Sequence, residues 1–202
     1  MRIISGSFKG RKLIPPNGLS IRPTPDKVKG AIFNIIGERV VECSFLDIFA
    51  GTGAIGIEAL SRGAKEVIFV DSNINAINLI KENLSRCKMQ DARCKIVKEN
   101  AVEFIKSVGQ GFSPAKFDFI FLDPPYKSDL GEQVLMELSR CNILKKDGEV
   151  IWEHYYKKIP PFPPLIKGGK GGLKLKRTVR YGDTSLSFFY SVSESVSESE
   201  KQ

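Results

Sequence analysis

Residues 45–62 of the chain, FLDIFAGTGAIGIEALSR, contain the pattern that decides the fold. The apolar run at 45–49 predicts a buried strand, and the glycines that follow it predict a tight turn. A helix is predicted from this turn to about Arg62, and Gly63 is placed to end that helix. A strand, a glycine-rich turn and a helix in this order indicate one βα unit of an α/β domain.

The alternation of strands and helices continues along the chain. Four further strands are predicted at 66–70, 94–97, 117–122 and 149–154, and the predicted helices between them are 73–88, 101–106 and 130–141. This order favours a parallel sheet with helices on both faces, and ligands of such sheets bind outside the carboxyl ends of the strands. Asp47, Asp71 and Asp123 all lie at or near predicted strand ends. We therefore expect one crevice to collect the three carboxylates.

Several segments do not follow this alternation. Residues 1–40 predict a short hairpin or irregular arm and then a helix, and we expect a globular domain from 41 to 190. Within it, 160–172 is a low-complexity insert of Pro and Gly, and 173–190 predicts a hairpin that turns near Gly182 and Asp183. The tail, 191–202, repeats Ser-Val-Ser-Glu and is predicted to be disordered.

Composition limits the class of protein. With 202 residues, of which 42% are hydrophobic, the chain suffices for one α/β domain with appendages. Its longest apolar stretches are too short to span a bilayer, and the first residues lack the apolar core of a secretory signal. Four scattered cysteines predict reduced thiols in a cytoplasmic protein, and a single histidine, His154, argues against a metal site.

Positive charge is concentrated at the start of the chain. The net charge is +8, and residues 1–40 contain eight Lys or Arg side chains against two acidic ones. Clustered cations gain affinity for polyanions by releasing counterions, although they are also compatible with a solvated surface. Arg22 and Thr24 flank Pro23, so they either line the entrance for such a partner or cap the first helix. The candidate contacts for a polyanion are Lys9, Arg11, Lys12, Arg22 and Thr24.

The glycine-rich turn allows two cofactors. Gly51, Gly53 and Gly56 satisfy the G-x-G-x-x-G pattern, and Asp71 follows Gly51 by 20 residues, as in proteins that bind a nicotinamide dinucleotide. Asp47 argues against that reading, because a carboxylate works against the pyrophosphate at the helix N-terminus. S-adenosylmethionine carries an ammonium and a sulfonium and no phosphate, so the carboxylate suits it. Asp71 fits either cofactor through ribose hydroxyls, and a turn that binds nothing is the third possibility.

Residues 123–126, Asp-Pro-Pro-Tyr, follow the predicted strand 117–122. The prolines hold the backbone extended or in a turn, which leaves the Asp123 carboxylate and the Pro124 carbonyl as two acceptors beside the ring of Tyr126. An exocyclic amino group can donate to both acceptors while its ring stacks on Tyr126. The segment therefore favours a nucleobase with an amino group as substrate, although Asp-Pro-Pro after a strand is also compatible with a simple turn.

The chain resembles the bacterial 16S rRNA (guanine-N2)-methyltransferases that modify guanine 966. The resemblance runs from Met1 to about Tyr190, and its most diagnostic segment is RPTPDKVKGAIFNII at 22–36. The other matching segments are MRIISGSFKGRKL at 1–13, LDIFAGTGAIGIEALSRGA at 46–64, FVDSN at 69–73, FLDPPY at 121–126 and RYGDTSLSFFY at 180–190. The insert at 160–172 departs from the family's compact pattern.

The resemblance implies a Rossmann-like class I methyltransferase: a mostly parallel seven-stranded sheet with helices on both faces and an antiparallel last strand. It implies S-adenosylmethionine as cofactor and 16S rRNA, or the 30S subunit that contains it, as partner, and nothing in the sequence demands more than a monomer. Asp123, Pro124 and Tyr126 would act on the guanine amine. The implied cofactor contacts are Asp47, Gly51, Gly53, Asp71, Asn100 and Ala101.

Two other functions remain open at this point. A DNA methyltransferase acting on adenine N6 or cytosine N4 also uses an Asp-Pro-Pro-Tyr type segment, but no recognisable DNA target-recognition domain remains in the chain. A nicotinamide-dependent oxidoreductase fits the glycine pattern, but hydride transfer does not need a segment that grips an amine. His154 is interpreted as a structural residue, whereas Arg180 and Tyr181 either contact RNA or shape the terminal hairpin, and the second role is favoured.

Overall fold

The computed structural model describes residues 1–16, 26–89, 93–109, 116–126, 128–158 and 172–192. Its helices are α1 (Asp26–Ile36), a short 3₁₀ helix (Gly37–Val40), α2 (Ala54–Ser61), α3 (Ile74–Arg86), α4 (Ala101–Gly109) and α5 (Leu130–Arg140). Its strands are β1 (Ser44–Ile48), β2 (Glu66–Asp71), β3 (Cys94–Lys98), β4 (Phe117–Leu122), β5 (Leu144–Tyr155), β6 (Leu173–Tyr181) and β7 (Thr184–Ser191). Apart from Gly172, Ser191 and Val192, the predicted insert and tail lie outside the described residues.

The strands form one seven-stranded sheet in the order β3-β2-β1-β4-β5-β7-β6. Strands β1 to β5 pair in parallel, whereas β7 runs antiparallel to β5 and β6 on either side of it. The predicted sheet, mostly parallel with an antiparallel last strand, is therefore confirmed. Helices α2, α3, α4 and α5 connect the parallel strands, as right-handed crossovers require.

The core lies on both faces of the sheet, which explains the continuous apolar runs of its central strands. All five residues of β1 are buried, and so are the large side chains Phe45, Phe69 and Trp152. One buried cluster joins α1, α2 and α3 to the sheet, and the other joins α4 and α5 to its opposite face.

The start of the chain is docked on the domain. Arg2 and Lys12 form an isolated antiparallel bridge, and Ile3 and Leu13 are buried between it and the core. The N–H groups of Ile4 and Ser5 donate to the carboxylate of Glu58 in α2, at 2.8 and 2.9 Å. Residues 1–16 are therefore held by backbone hydrogen bonds as well as by apolar contacts.

Strand β5 begins five residues earlier than predicted. Residues 145–148 lie outside the predicted strand, but Leu144 pairs with Phe117 and the ladder resumes at Glu149 after a shift in register. Lys145 also donates to the carboxylate of Asp118, at 2.7 Å. The strand extends because these polar side chains lie at its exposed end, where they need not be buried.

The four cysteines, all among the described residues, are thiols rather than disulfides. Across the described ranges, no helix is both long enough and apolar enough to cross a membrane.

Candidate active site

The turn between β1 and α2 depends on glycine at two positions. Gly51 and Gly53 have positive φ angles of 54° and 74°, a region that side chains with a Cβ rarely adopt. A Cβ on Gly53 would also approach Ile80 to 3.3 Å. The left-handed backbone turns the chain sharply from the end of β1 into α2, and the N–H of Gly53 donates to the carbonyl of Ala50, at 2.7 Å.

The third glycine of the pattern has a packing role. Gly56 lies inside α2, and a Cβ at this position would come within 2.3 Å of the Phe69 ring and 2.8 Å of Val67 on β2. Only a residue without a side chain lets the helix lie this close to the sheet. The glycine pattern is therefore explained by two turn positions with positive φ, at Gly51 and Gly53, and by the close packing of Gly56 against β2.

We expect Gly56→Ala to lower the free energy of unfolding by about 1–3 kcal/mol, the usual cost of overpacking a core. Gly30→Ala is the matched control, since Gly30 also lies in a helix but a Cβ there approaches nothing closer than 3.9 Å. That control should be neutral or stabilising, because Ala has the higher helix propensity. Urea unfolding followed by circular dichroism measures both. Equal stability of the two variants would contradict the packing role of Gly56.

Asp47 is the penultimate residue of β1 and is 2% exposed. Its Oδ2 accepts a hydrogen bond from the N–H of Gly56, at 2.9 Å, so it ties the strand to the first turn of α2. Burial raises the pKa of this carboxyl well above its ordinary value, the Gly56 N–H opposes the rise, and the charges of Asp123 and Asp71 add to it. Asp47 therefore fixes the shape of the turn from within the buried interior.

Asp71 ends β2 and holds the turn from the other side. One carboxylate oxygen accepts from the N–H of Gly51, at 2.9 Å, and the other accepts from the N–H of Asn73, at 2.8 Å. Each carboxylate oxygen has a second lone pair, so the half-buried group can still accept hydrogen bonds from a ligand. Asn73 in turn caps α3 by accepting from the N–H of Asn75.

The register of the sheet brings the three predicted carboxylates together. Ile48 pairs with Val70 on one side and with Leu122 on the other, so Asp71 and Asp123 both follow directly after its neighbours. The N–H of Asp123 donates to the carbonyl of Ile48, at 3.4 Å. A site with this concentration of negative charge fits a cationic ligand and opposes a pyrophosphate.

The Asp-Pro-Pro-Tyr segment is anchored at its far end. The hydroxyl of Tyr126 forms a hydrogen bond with Thr184 Oγ1, at 3.1 Å, and its ring meets that of Tyr155 edge-on, with 6.4 Å between centroids. Pro124 is buried, whereas Asp123 and Tyr126 are half-buried. Ser128 donates from both its N–H and its hydroxyl to the carbonyl of Pro125, which fixes the turn that follows.

Asn100 and Ala101 lie where β3 gives way to α4, on the same edge of the sheet. The side-chain oxygen of Asn100 accepts from the N–H groups of Val102, at 2.9 Å, and Glu103, at 3.4 Å. Asn100 is therefore an N-cap of α4, a role that its sequence position alone did not reveal. Ala101 is buried at the first turn.

Two of the predicted polyanion contacts, Arg22 and Thr24, lie outside the described residues. Lys9, Arg11 and Lys12 are exposed on the docked N-terminal segment. Arg11 also donates through its guanidinium to the carbonyl of Cys87 and lies over the Phe8 ring. The segment is thus a fixed basic surface whose cations are partly used to hold it in place.

His154, Arg180 and Tyr181 each make contacts within the protein. His154 is buried and bonded to Ser187 Oγ, at 2.8 Å, and burial lowers the pKa of its imidazole. Arg180 donates to the carbonyl of Gly182, at 2.7 Å, in the β6–β7 turn. Tyr181 packs against the core cluster that contains α1. In the described part of the chain, no group of His, Cys, Asp or Glu is arranged to hold a metal ion.

Sequence reasoning did not identify two residues next to this site. Phe49 follows β1 with φ of 60°, a left-handed conformation that costs a residue with a Cβ about 1 kcal/mol or more. Nothing in the residue type signals that strain. Thr184 holds the Tyr126 hydroxyl from the far side of the sheet, and only the pairing of β7 with β5 brings the two together.

The chain is similar to several known proteins. Residues 1–190 match the family described as conserved hypothetical protein 95. YlbH of Bacillus subtilis, provisionally named an rRNA methyltransferase, is 37% identical over 94% of this chain and 98% of its own. Ribosomal RNA small subunit methyltransferase D of Haemophilus influenzae is 37% identical over 76% of this chain and 78% of its own. The solved structure of yhhF from Escherichia coli superposes with a TM-score of 0.79, at 26% identity, over 94% of this chain and 97% of that one.

Proposed function

The chain belongs to the conserved hypothetical protein 95 family, and we propose that it transfers a methyl group from S-adenosylmethionine to the N2 amine of a guanine in 16S ribosomal RNA. It would act in the cytoplasm as a monomer, on the free RNA or on the 30S subunit. Ribosomal RNA methyltransferases of the small subunit are among its relatives.

The observation that carries this proposal is the adjacency of the two motifs. Strand β1 leads into the glycine-rich turn, strand β4 leads into Asp123, and the two strands are hydrogen-bonded neighbours. A donor held by the turn and an amine held at Asp123 therefore share one edge of the sheet. This proximity converts a reaction between two molecules into one within a single complex, which supplies a large part of the acceleration.

Four groups would hold the cofactor. The glycine turn at Gly51 and Gly53 allows its backbone to approach closely, and Asp71 would accept from the ribose hydroxyls. Asn100 and Ala101 lie at the start of α4, where they would contact the adenine of the cofactor. Asp47 would hold the turn through its bond to Gly56, and the ammonium and sulfonium groups would in turn favour its charged form, because a nearby cation stabilises a carboxylate. When bound, S-adenosylmethionine supplies an electrophilic methyl group, which the N2 lone pair takes while the S–CH₃ electron pair stays on sulfur.

The residues at the end of β4 would prepare the amine. Its lone pair is delocalised into the guanine ring, so it is a weak nucleophile. Hydrogen bonds from the amino group to the Asp123 carboxylate and the Pro124 carbonyl orient N2 and stabilise the positive charge that develops on it. Tyr126 stacks on the base once it is exposed from the RNA. The proton that N2 loses then passes to water.

The docked basic segment would bind the RNA backbone. Lys9, Arg11 and Lys12 are exposed on it, and Arg22 and Thr24 belong to the same stretch of sequence. Contacts to phosphates position a nucleic acid without reading its bases. The choice of guanine would therefore depend on the site at Asp123 and Tyr126, and affinity on the basic segment.

A methyl-transfer assay tests the proposed function directly. Tritium-labelled S-adenosylmethionine is offered with naked 16S RNA, with 30S subunits and with DNA, and the labelled nucleoside is then mapped. We expect label on guanine N2 of the small-subunit RNA. Label confined to adenine N6 or cytosine N4 of DNA would instead establish the DNA methyltransferase.

Asp71→Ala should weaken S-adenosylhomocysteine binding about 10-fold to 100-fold, since each lost tenfold corresponds to about 1.4 kcal/mol and a carboxylate bonded to hydroxyls contributes one to two such steps. Isothermal calorimetry measures the affinity. Asp147→Ala is the control, because Asp147 is exposed near the start of β5, at the opposite edge of the sheet. Unchanged binding in Asp71→Ala, or stabilisation of the protein by NAD instead, would contradict this role.

A further inference from the structure

A row of aromatic rings leads away from Tyr126 across the end of β5. The Tyr126 and Tyr155 centroids are 6.4 Å apart, and those of Tyr155 and Tyr156 are 4.8 Å apart, both pairs being edge-on. Tyr155 is 38% exposed and Tyr156 is half-buried. The contacts proposed for the amine, at Asp123 and Pro124, do not involve Tyr155 or Tyr156.

Two cations lie at the far end of this row. The guanidinium carbon of Arg180 is 3.7 Å from the centre of the Tyr156 ring, and the ammonium of Lys157 is 5.7 Å from it. Arg180 is exposed, and its Nε donates to the carbonyl of Gly182, which fixes its direction over the ring. Arginine stacked on tyrosine presents a flat cationic surface with N–H groups at its rim.

The surface is rigid and joined to the proposed active site. Tyr156 N–H donates to the carbonyl of Asp183 in the β6–β7 turn, at 3.0 Å. Lys158 donates to the carbonyl of Ser128, at 2.9 Å, and pairs with Glu132 at 2.7 Å. These bonds connect the end of β5 both to the β6–β7 turn and to the segment that follows Tyr126.

We propose that Tyr155, Tyr156, Arg180 and Lys157 form a platform for the unpaired RNA nucleotides next to the target guanine. This inference rests on the proposed function, since it takes RNA as the substrate. Single-stranded nucleic acids are bound by surfaces that combine aromatic rings, on which bases stack, with cations that follow the phosphates. The row starts at the ring proposed to stack on the target base, so the neighbouring nucleotides of the same strand are the groups within reach.

The platform would stabilise the exposed state of the guanine. Taking a base out of a folded RNA costs a few kcal/mol, and stacking of its neighbours on protein rings offsets part of that cost. It is formed by the ends of β5 and β6 and by the turn between β6 and β7, whereas the basic segment at the start of the chain packs against α2. RNA would therefore contact two separate parts of the protein.

The test compares steady-state methyl transfer to a small-subunit RNA fragment by Tyr156→Ala and Arg180→Ala. Each should raise KM for RNA about tenfold, the effect of losing one stacking partner, while kcat changes much less. Tyr190→Ala and Arg140→Ala are the matched controls: Tyr190 pairs with Glu149 near the start of β5, and Arg140 ends α5. Both controls should keep KM within twofold.

A second perturbation links the platform to one nucleotide. Two RNAs are compared, one with an abasic residue on the 5′ side of the target guanine and one with an abasic residue on its 3′ side. For the unmodified enzyme, one of these two RNAs should have a higher KM than the intact RNA. For Tyr156→Ala, the same abasic RNA should raise KM little further, because the ring on which the missing base would stack is already absent. Full additivity at both sides, or unchanged KM in both platform variants, overturns the platform.

The outcomes separate the two proposals. If the unmodified enzyme labels no RNA, the proposed function fails. If it labels RNA and the platform variants match their controls, only the platform fails. A loss seen with 30S subunits but not with the RNA fragment would assign this surface to a ribosomal protein and would also overturn the RNA platform.

Discussion

Asp123→Ala should lower kcat for methyl transfer about 100-fold to 1,000-fold, the range seen when a group that stabilises transition-state charge is removed. Binding of S-adenosylhomocysteine should change little, because Asp71 and the glycine turn provide the proposed cofactor contacts. KM for RNA should rise less than kcat falls, since Tyr126 and the basic segment remain. We therefore expect a variant that still binds the cofactor and the RNA but transfers the methyl group slowly.

The size of this effect follows from the position of the carboxylate. Asp123 is half-buried beside the buried Asp47, in a part of the structure where charges are poorly screened. Its backbone is fixed by the hydrogen bond to Ile48 and by the buried Pro124, so water that replaces the side chain cannot take up the same geometry. Removing Asp123 also lowers the pKa of Asp47, because one of the charges that raise it is lost.

Single-turnover measurements with pre-bound RNA test this prediction most directly. Asp129→Ala is the matched control: Asp129 is six residues further on, and its carboxyl side chain is 89% exposed. Its ion pair with Lys158 spans 4.0 Å, and exposed pairs contribute little. The control should keep near-normal activity. A rate in Asp123→Ala within fivefold of the unmodified enzyme would remove the carboxylate from the mechanism.

Much of the fold could be predicted because its signals are local. The run at β1, the glycines that need a positive φ and the apolar run at β4 each specify their own geometry. The position of Asp71 relative to Gly51 also has a simple cause, since its carboxylate accepts the Gly51 N–H across the turn. Parallel pairing then placed the three carboxylates at one edge without further information.

Other features depend on contacts between distant parts of the chain. Thr184 is 58 residues from Tyr126 and reaches it only because β7 lies between β5 and β6. The packing of Gly56 against Phe69 could not be predicted for the same reason. The glycine motif suggested that Gly56 makes room for a ligand, whereas in the structure it makes room for the Phe69 ring. Asn100 was predicted as a ligand contact, and its cap of α4 appears only when the helix is seen to start at Ala101.

The N-terminal segment shows the same difference most clearly. A count of charges predicted a basic arm, but it could not distinguish exposed lysines from a buried one. Lys29 has an exposed side-chain fraction of 0%, as does Glu58, and their charged atoms are 3.4 Å apart. The Lys29 ammonium also donates to the carbonyl of Arg2, at 2.6 Å. One of the cations counted towards the polyanion surface is therefore an internal anchor.

Lys29→Met should lower the free energy of unfolding by about 3 kcal/mol, the low end of the cost of breaking a buried ion pair. Desolvation lowers the pKa of Lys29 more than the charges of Glu58 and Asp26 raise it, so burying this ammonium is itself unfavourable. Met removes that cost, but it leaves the Glu58 carboxylate buried with Arg62 as its remaining cation, at 2.9 Å. It also removes the hydrogen bond from the ammonium to the Arg2 carbonyl, and a hydrogen bond to a charged group contributes about 1.5–3 kcal/mol.

Local loosening should accompany the loss of stability. Glu58 accepts hydrogen bonds from the N–H groups of Ile4 and Ser5, and Lys29 donates to the carbonyl of Arg2. The docking of residues 1–16 therefore depends on this pair. Limited trypsin digestion should therefore cut Lys29→Met faster at Lys9, Arg11 and Lys12, and urea unfolding gives the change in stability.

Lys27→Met is the matched control, since Lys27 is exposed on the same helix and should shift stability by no more than about 0.5 kcal/mol. If both variants unfold at the same urea concentration and are digested at the same rate, the buried pair does not anchor the segment. If Lys29→Met alone is weakened, its KM for RNA should also rise, because the basic side chains at 9–12 can bind phosphates in register with Asp123 only while the segment stays docked.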